Sequence, residues 1–162
     1  MDRLEKNGIA SFAPQVDRWK PEKSGTVKRL CRLLPGYVFL ETETEPDWQE
    51  IQAIPFVLRI LRYADGQAAL RGEDMAFVHW LKSFNGVIEV SLVLQEGTKI
   101  RFIEGPLKDM AGRIVKVNKK RRVVAVQFGD GSGLFQTIWC SIDYVQGSAD
   151  TEKMEQVYSA AQ

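Results

Sequence analysis

GPLKDMAGRIVKV, Gly105 to Val117, packs a turn, a second glycine and an alternating run into one short stretch. Proline fixes φ, so Gly105-Pro106 predicts a tight turn. Gly112 marks a point where the chain passes close to another strand or takes a positive φ. From Ile114 the side chains alternate, putting Ile114 and Lys116 on one face of a strand and Val115 and Val117 on the other. One face is expected in a core, the other at a charged surface.

Toward the C-terminus, Asn118-Lys119-Lys120 predicts a hairpin tip, RVVAVQF (Arg122 to Phe128) a strand, GDGSG (Gly129 to Gly133) a turn, and Phe135 to Cys140 another strand. Short strands, glycine-rich turns and no helical stretch predict a small all-β barrel over residues 97–146. About 50 residues suffice for such a barrel if it closes on a compact core. The polar residues 147–162 read as a tail.

Toward the N-terminus the pattern changes. Met1 to Asn7 reads as the end of a helix stopped by Gly8. Ile9 to Trp19 alternates but carries Pro14, which predicts a short or edge strand. Lys20 to Arg32 is polar and predicts a loop or hairpin tip. Gly36 to Thr42 predicts a strand, with Tyr37 and Phe39 on one face. Thr44 or Glu45 before Pro46 predicts a helix start, continued by Trp48, Ile51 and Ile54 and ended by Pro55. VLRILRY, Val57 to Tyr63, predicts a further strand followed by an Asp65-Gly66 turn. A second helix is expected from Gly72 to about Ser83, with Met75, Val78 and Trp80 to Leu81 on its apolar side and Asn85-Gly86 closing it. The order predicts an α+β domain over residues 1–88, helices packed on an antiparallel sheet. Residues 89–96 are expected to link it to the barrel.

Composition narrows the function. The chain has 162 residues, 27% of them charged, with a net charge of +1. No apolar run reaches the ~20 residues of a membrane span, so a cytoplasmic protein without membrane contact is expected. Cys31 and Cys140 are isolated, with no CxxC or Cys/His cluster; reduced thiols and no metal or other cofactor are expected. His79 is the only histidine and falls mid-helix, where packing or surface roles predominate. Glu41/Glu43 and Glu73/Asp74 fall in stretches read as exposed, with no cleft to raise a carboxyl pKa. Nothing here resembles a catalytic constellation, so no enzymatic activity is expected. The charge is nonetheless uneven. Lys20 to Arg32 holds five basic residues and one acid, and Arg113 to Arg122 six basic residues and none, whereas ETETEPDWQE, Glu41 to Glu50, is acidic.

Two of these stretches in this order resemble a known family. Leu34-Pro35-Gly36-Tyr37-Val38-Phe39-Leu40 is similar to the FPGYVFV-type strand of the NusG N-terminal (NGN) domain. Glu104 to Val117 resembles a KOW motif. The resemblance spans roughly residues 1–146 and implies a βαββαβ NGN domain followed by a five-stranded SH3-like KOW barrel. Relatives open with a WYVV-like strand and a full first helix. Met1 here corresponds to the end of that helix, so the first strand is expected to be missing, by about 20–30 residues judged from element lengths.

The resemblance also implies sites. Leu34, Pro35, Tyr37 and Phe39 match positions that form a concave pocket for the clamp helices of RNA polymerase, a helix-in-groove recognition. The cations Lys116, Lys119, Lys120, Arg121 and Arg122 are either a solvated turn or contacts to RNA phosphates. The LPGYVFLE strand and the basic KOW turn look more like the LoaP-type antiterminators, whose KOW domain binds a hairpin in nascent RNA, than like a general NusG. Lys28, Arg29 and Arg32 are candidates for contact with upstream DNA or polymerase, and Trp19 for stacking on a base or for partial burial at a strand end. Gly105, Pro106 and Gly112 are structural. A monomeric transcription elongation and antitermination factor is the expectation. A general NusG is the first rival. Its barrel would recruit a termination factor or ribosomal protein through apolar residues such as Leu107, Met110 and Leu134. A KOW-type RNA-binding protein without polymerase contact is the second.

Overall fold

The computed structural model describes residues 2–97, 99–128, 135 and 137–145. The expected Gly129–Gly133 turn, Leu134 and the tail at 147–162 lie outside them. In chain order the elements are α1 (Asp2–Lys6), β1 (Ala10–Phe12), β2 (Gln15–Glu22), β3 (Gly25–Arg32), β4 (Phe39–Glu41), α2 (Trp48–Ala53), α3 (Gly72–Ser83), β5 (Val87–Ile88), β6 (Ser91–Glu96), β7 (Lys99–Glu104), a 3₁₀ segment (Lys108–Arg113), β8 (Ile114–Asn118), β9 (Val123–Gln127) and β10 (Thr137–Tyr144). The chain divides into two compact units. The first is Met1–Val16, Leu30–Ile88 and Gln127–Ile138; the second is Asp17–Arg29, Glu89–Val126 and Trp139–Gln162.

The first unit is α+β. Helix α1 stops at Gly8, whose φ of +71° lets its N–H reach the Glu5 carbonyl and that of Ile9 the Leu4 carbonyl. Strands β1 and β4 pair antiparallel with Phe12 opposite Phe39, and the first two residues of β2 pair parallel with β5. The start of α2 is two or three places later than its sequence predicts. Asp47, not Thr44 or Glu45, is the N-cap, its carboxylate accepting from the N–H groups of Gln49 and Glu50 at 2.8 and 3.2 Å. Helix α3 buries Asp74, Phe77, Val78 and Leu81. Val78 and Leu81 lie on that i, i+3, i+4, i+7 stripe as read, whereas Met75 is exposed and Asp74 and Phe77 complete the buried face.

Val57 to Tyr63 is not a strand. From Leu58 to Arg62 no backbone group bonds another among the described residues, and Leu58 is 91% exposed. β-Propensity alone cannot make a strand without a neighbouring edge. Local bonds instead fold this segment around Asp65-Gly66. Tyr63 donates its N–H to the Gln67 carbonyl (2.8 Å), Arg62 donates to the Gly66 carbonyl (2.9 Å), and Arg71 pairs with Asp65 (2.7 Å).

An aromatic chain forms the core of this unit. Ring centroids run Phe12–Phe39 at 5.1 Å, Phe39–Phe135 at 5.4 Å, Phe135–Phe77 at 5.4 Å, Phe77–Phe128 at 4.7 Å and Phe128–Trp80 at 5.4 Å. Burial of such rings dominates core energetics, and offset pairs add about 0.5–1.5 kcal/mol each.

The second unit is all-β. Its five-stranded sheet has the order β7-β6-β10-β9-β8, with β10 and β6 parallel and the outer pairs β6–β7 and β8–β9 antiparallel. Residues 91–96, expected in a linker, form β6 of this sheet. The sheet curls: its edge strands β7 and β8 both line one cleft of about 330 Å³, through Ile100, Phe102 and Ile114, the shape of a small barrel. Val93, Leu107, Val124, Val126, Cys140 and Ile142 fill the interior. Burial pushes the Cys140 thiol up to about 12, with a smaller opposing pull from Arg18. Of the two readings of Lys20 to Arg32, the hairpin holds and the loop does not: β2 and β3 pair, with the turn at Lys23-Ser24.

Candidate functional site

Leu34 to Tyr37 is a type II turn. The Tyr37 N–H bonds the Leu34 carbonyl at 3.2 Å, Pro35 occupies the second position and Gly36, at φ +86°, the third. Strand β4 therefore begins only at Phe39, later than the strand read from Gly36. The turn sets the four proposed docking residues at different depths. Leu34 is half-buried and Pro35 exposed; Tyr37 is 42% exposed and Phe39 8%. Tyr37 and Phe39 do share a neighbour: both rings lie against Phe135, Tyr37 edge-on at 6.2 Å. Phe39 is thus core, and Tyr37, with Pro35 and Val38 (41% exposed) beside it, is surface.

Of the four acids read as exposed, Glu41, Glu43 and Glu73 are exposed and Asp74 is not. Glu41 is exposed and paired with Lys82 at 2.5 Å. Asp74, read as exposed, is buried and accepts the Tyr63 hydroxyl at 2.6 Å and the Phe135 N–H at 3.1 Å. Burial, helped by that bond to Asp74, raises the Tyr63 pKa. The hydrogen bond from Arg71 lowers that of Asp65. Asp74 is a satisfied structural carboxylate that holds the segment carrying Phe135, Tyr37's partner. His79 is exposed on α3.

In the second unit Gly105 is the residue of close approach. Its φ is +98°, and a Cβ there would lie 2.7 Å from Ser91 Cα. Ser91 Oγ accepts the Leu107 N–H at 3.0 Å, which clamps the turn onto β6. Gly112 falls in the 3₁₀ segment. Leu107 is fully buried, which removes it from any docking surface, and Met110 is half-buried. The apolar exposure lies on β8 instead. Val115 is 56% and Val117 37% exposed, against the expectation of a core-facing pair. The cause is that β8 is a sheet edge with a bulge between Ile114 and Lys116, which breaks the simple alternation.

The β8–β9 tip separates its cations into two kinds. Lys116, Lys119, Lys120 and Arg121 are exposed. Asn118 Oδ1 accepts the Arg121 N–H at 3.0 Å, and Arg122, at φ +52°, donates its N–H to the Lys119 carbonyl at 3.2 Å, closing the turn. The Arg122 guanidinium stands 4.1 Å over the Trp19 ring and donates to Asp143 at 3.0 Å. Arg122 is therefore a structural residue that fixes the tip. Trp19 is half-buried, its indole donating to the Ile142 carbonyl at 2.9 Å, so it is the buried strand residue and not a free stacking platform. Lys28 pairs with Asp17 at 3.3 Å and Arg29 with Glu22 at 2.5 Å, while Arg32 is exposed on β3. Sequence reading missed Asp74 and the Trp19–Arg122–Asp143 set. A buried acid at a helix core position was visible only as Asp74 standing three and four residues before Phe77 and Val78.

Among the described residues no three His, Cys, Asp or Glu side chains group as a metal site, and no helix is long and apolar enough to cross a membrane.

Residues 1–79 match the family model described as transcription termination factor NusG. No curated protein matches the chain. The matched segment runs from α1 into α3 and contains the Leu34–Tyr37 turn, and the all-β unit that accompanies it has the five strands the KOW resemblance implies. Residues 1–79 therefore form a domain of the NusG family, a family of transcription elongation and termination factors.

Proposed function

We propose that this chain is an antitermination factor of the LoaP kind, which docks on RNA polymerase through its first unit and contacts nascent RNA through its second. The docking surface is the Leu34–Tyr37 turn with Val38; Phe39 supports it from the core. The RNA-contacting residues are Lys116, Lys119, Lys120 and Arg121, with Arg122 holding the tip in shape. The factor acts in the cytoplasm as a monomer, and tethering to polymerase makes the RNA contact effectively intramolecular, so its intrinsic affinity can be modest.

One observation carries this reading. The cations at the β8–β9 tip are exposed and borne on a turn closed by two hydrogen bonds, a rigid positive prong suited to phosphate contact. Charge reversal at Lys119 and Lys120 tests it. RNA binding and antitermination should be lost while polymerase binding remains; unchanged RNA affinity would remove the RNA-reading role.

A second reading is favoured by the exposed Val115 and Val117 and the cleft lined by Ile100, Phe102 and Ile114. An apolar edge of this kind suits a protein partner, such as a termination factor or ribosomal protein. Val115→Asp should abolish recruitment in that case and spare RNA binding. An RNA-binding protein that never contacts polymerase would keep full activity with Tyr37→Ala.

A further inference from the structure

We infer that the β2–β3 hairpin is a second arm of the RNA-binding surface, acting with the β8–β9 tip. This rests on the proposal that the second unit contacts RNA, and extends it to residues of the N-terminal segment.

Charge sorts by unit, not by position along the chain. The described residues of the second unit hold fourteen basic and seven acidic side chains, a net of +7; those of the first hold seven basic and ten acidic, a net of −3. Residues 17–29 supply five of the fourteen, although fifty-nine residues separate them from the rest of that unit. The hairpin is anchored at its root. Asp17 and Trp19 bond to β10, through Ser141 Oγ donating to the Asp17 carbonyl at 2.7 Å and the Trp19 indole donating to the Ile142 carbonyl. Arg122, which closes the tip, lies on the Trp19 ring. The two basic turns are thereby joined through one aromatic residue.

Beyond Trp19 the hairpin is bare. Every residue from Lys20 to Thr26 is exposed. In a ribbon whose side chains alternate, this means that neither face packs on the unit that carries it. Lys23 lies about 13 Å past Trp19 at strand spacing. Such a projecting ribbon adds nothing to the core. Its exposed lysines, Lys20 and Lys23, extend the field of Lys119, Lys120 and Arg121, and a polyanion spanning both arms gains from each.

The test is fluorescence anisotropy with a labelled RNA stem-loop over a range of salt, using the full chain as wild type, Lys20→Gln/Lys23→Gln and Lys119→Gln/Lys120→Gln. Each double variant should weaken binding severalfold and reduce the slope of log affinity against log salt by about 1.4–1.8, two phosphate contacts' worth. If the hairpin variant keeps the wild-type affinity and slope while the tip variant loses both, the hairpin arm is refuted and the RNA role of the tip stands. If neither variant differs from wild type, the RNA reading itself fails. A duplex DNA competitor displacing the RNA at equal concentration would overturn the assignment to RNA.

Discussion

Replacing Tyr37 and Phe39 one at a time should separate binding from folding, although the two residues are neighbours in sequence and touch the same ring. Phe39 is 8% exposed and lies between Phe12 and Phe135 at 5.1 and 5.4 Å. Phe39→Ala removes a buried ring and leaves a cavity, at about 3–5 kcal/mol. Tyr37 is 42% exposed and makes one edge contact with Phe135 at 6.2 Å. Losing that contact costs about 0.5–1.5 kcal/mol. With a urea m-value of about 2 kcal/mol/M, the midpoint should fall by about 1.5–2.5 M for Phe39→Ala and by under about 0.8 M for Tyr37→Ala.

Binding should rank them the other way. If Tyr37 anchors the docking surface, its removal should cost at least about 2 kcal/mol, or roughly thirtyfold in Kd for RNA polymerase, measured by biolayer interferometry on a folded variant. A midpoint shift for Tyr37→Ala as large as that for Phe39→Ala would refute the division into surface and core. A Kd within threefold of wild type would refute the docking role while leaving the packing argument intact.

Other substitutions test the second unit. Gly105→Ala places a Cβ against the Ser91 backbone at positive φ, and urea melts should show a loss of about 2–5 kcal/mol. Arg122→Ala removes the Trp19 contact and the Asp143 bond, an expected loss of about 1–2 kcal/mol, read as a lower midpoint. Cys140 gives a pH signature. Its thiol is raised from 9.0 to about 12 in the fold, so the folded state favours the neutral form. That stabilisation is fully present below pH 9 and is lost between pH 9 and 12, by roughly 4 kcal/mol at most. Cys140→Ala should flatten this part of the stability–pH curve relative to wild type, and alkylation of native protein at pH 8 should modify Cys31 far faster than Cys140.

What sequence made legible was mostly punctuation. Gly8, Asn85-Gly86 and Gly105-Pro106 end or turn elements where read, because positive φ and a fixed proline φ are properties of single residues. Strand pairing is not such a property. VLRILRY has every local mark of a strand, yet only a neighbour's edge would make it one, and the bonds of Tyr63, Arg62 and Arg71 take the chain into a turn instead. Alternation failed at β8 for a related reason. A bulge at a sheet edge shifts which side chains face inward, and nothing in IVKVN announces it.

The candidate sites divide along the same line. Residue type located the basic tip and the LPGY turn, but type cannot say which member of a cluster is already occupied. Arg122 looks like Lys119, Lys120 and Arg121 in sequence; it differs because Trp19, about a hundred residues earlier, supplies a ring beneath it. Phe39 looks like Tyr37, and differs because Phe12 is its strand partner. In each pair one residue holds the framework so that its neighbour can stay exposed. A substitution scan that averaged over either motif would therefore mix loss of shape with loss of contact, and only comparison within each pair, stability against binding, separates the two.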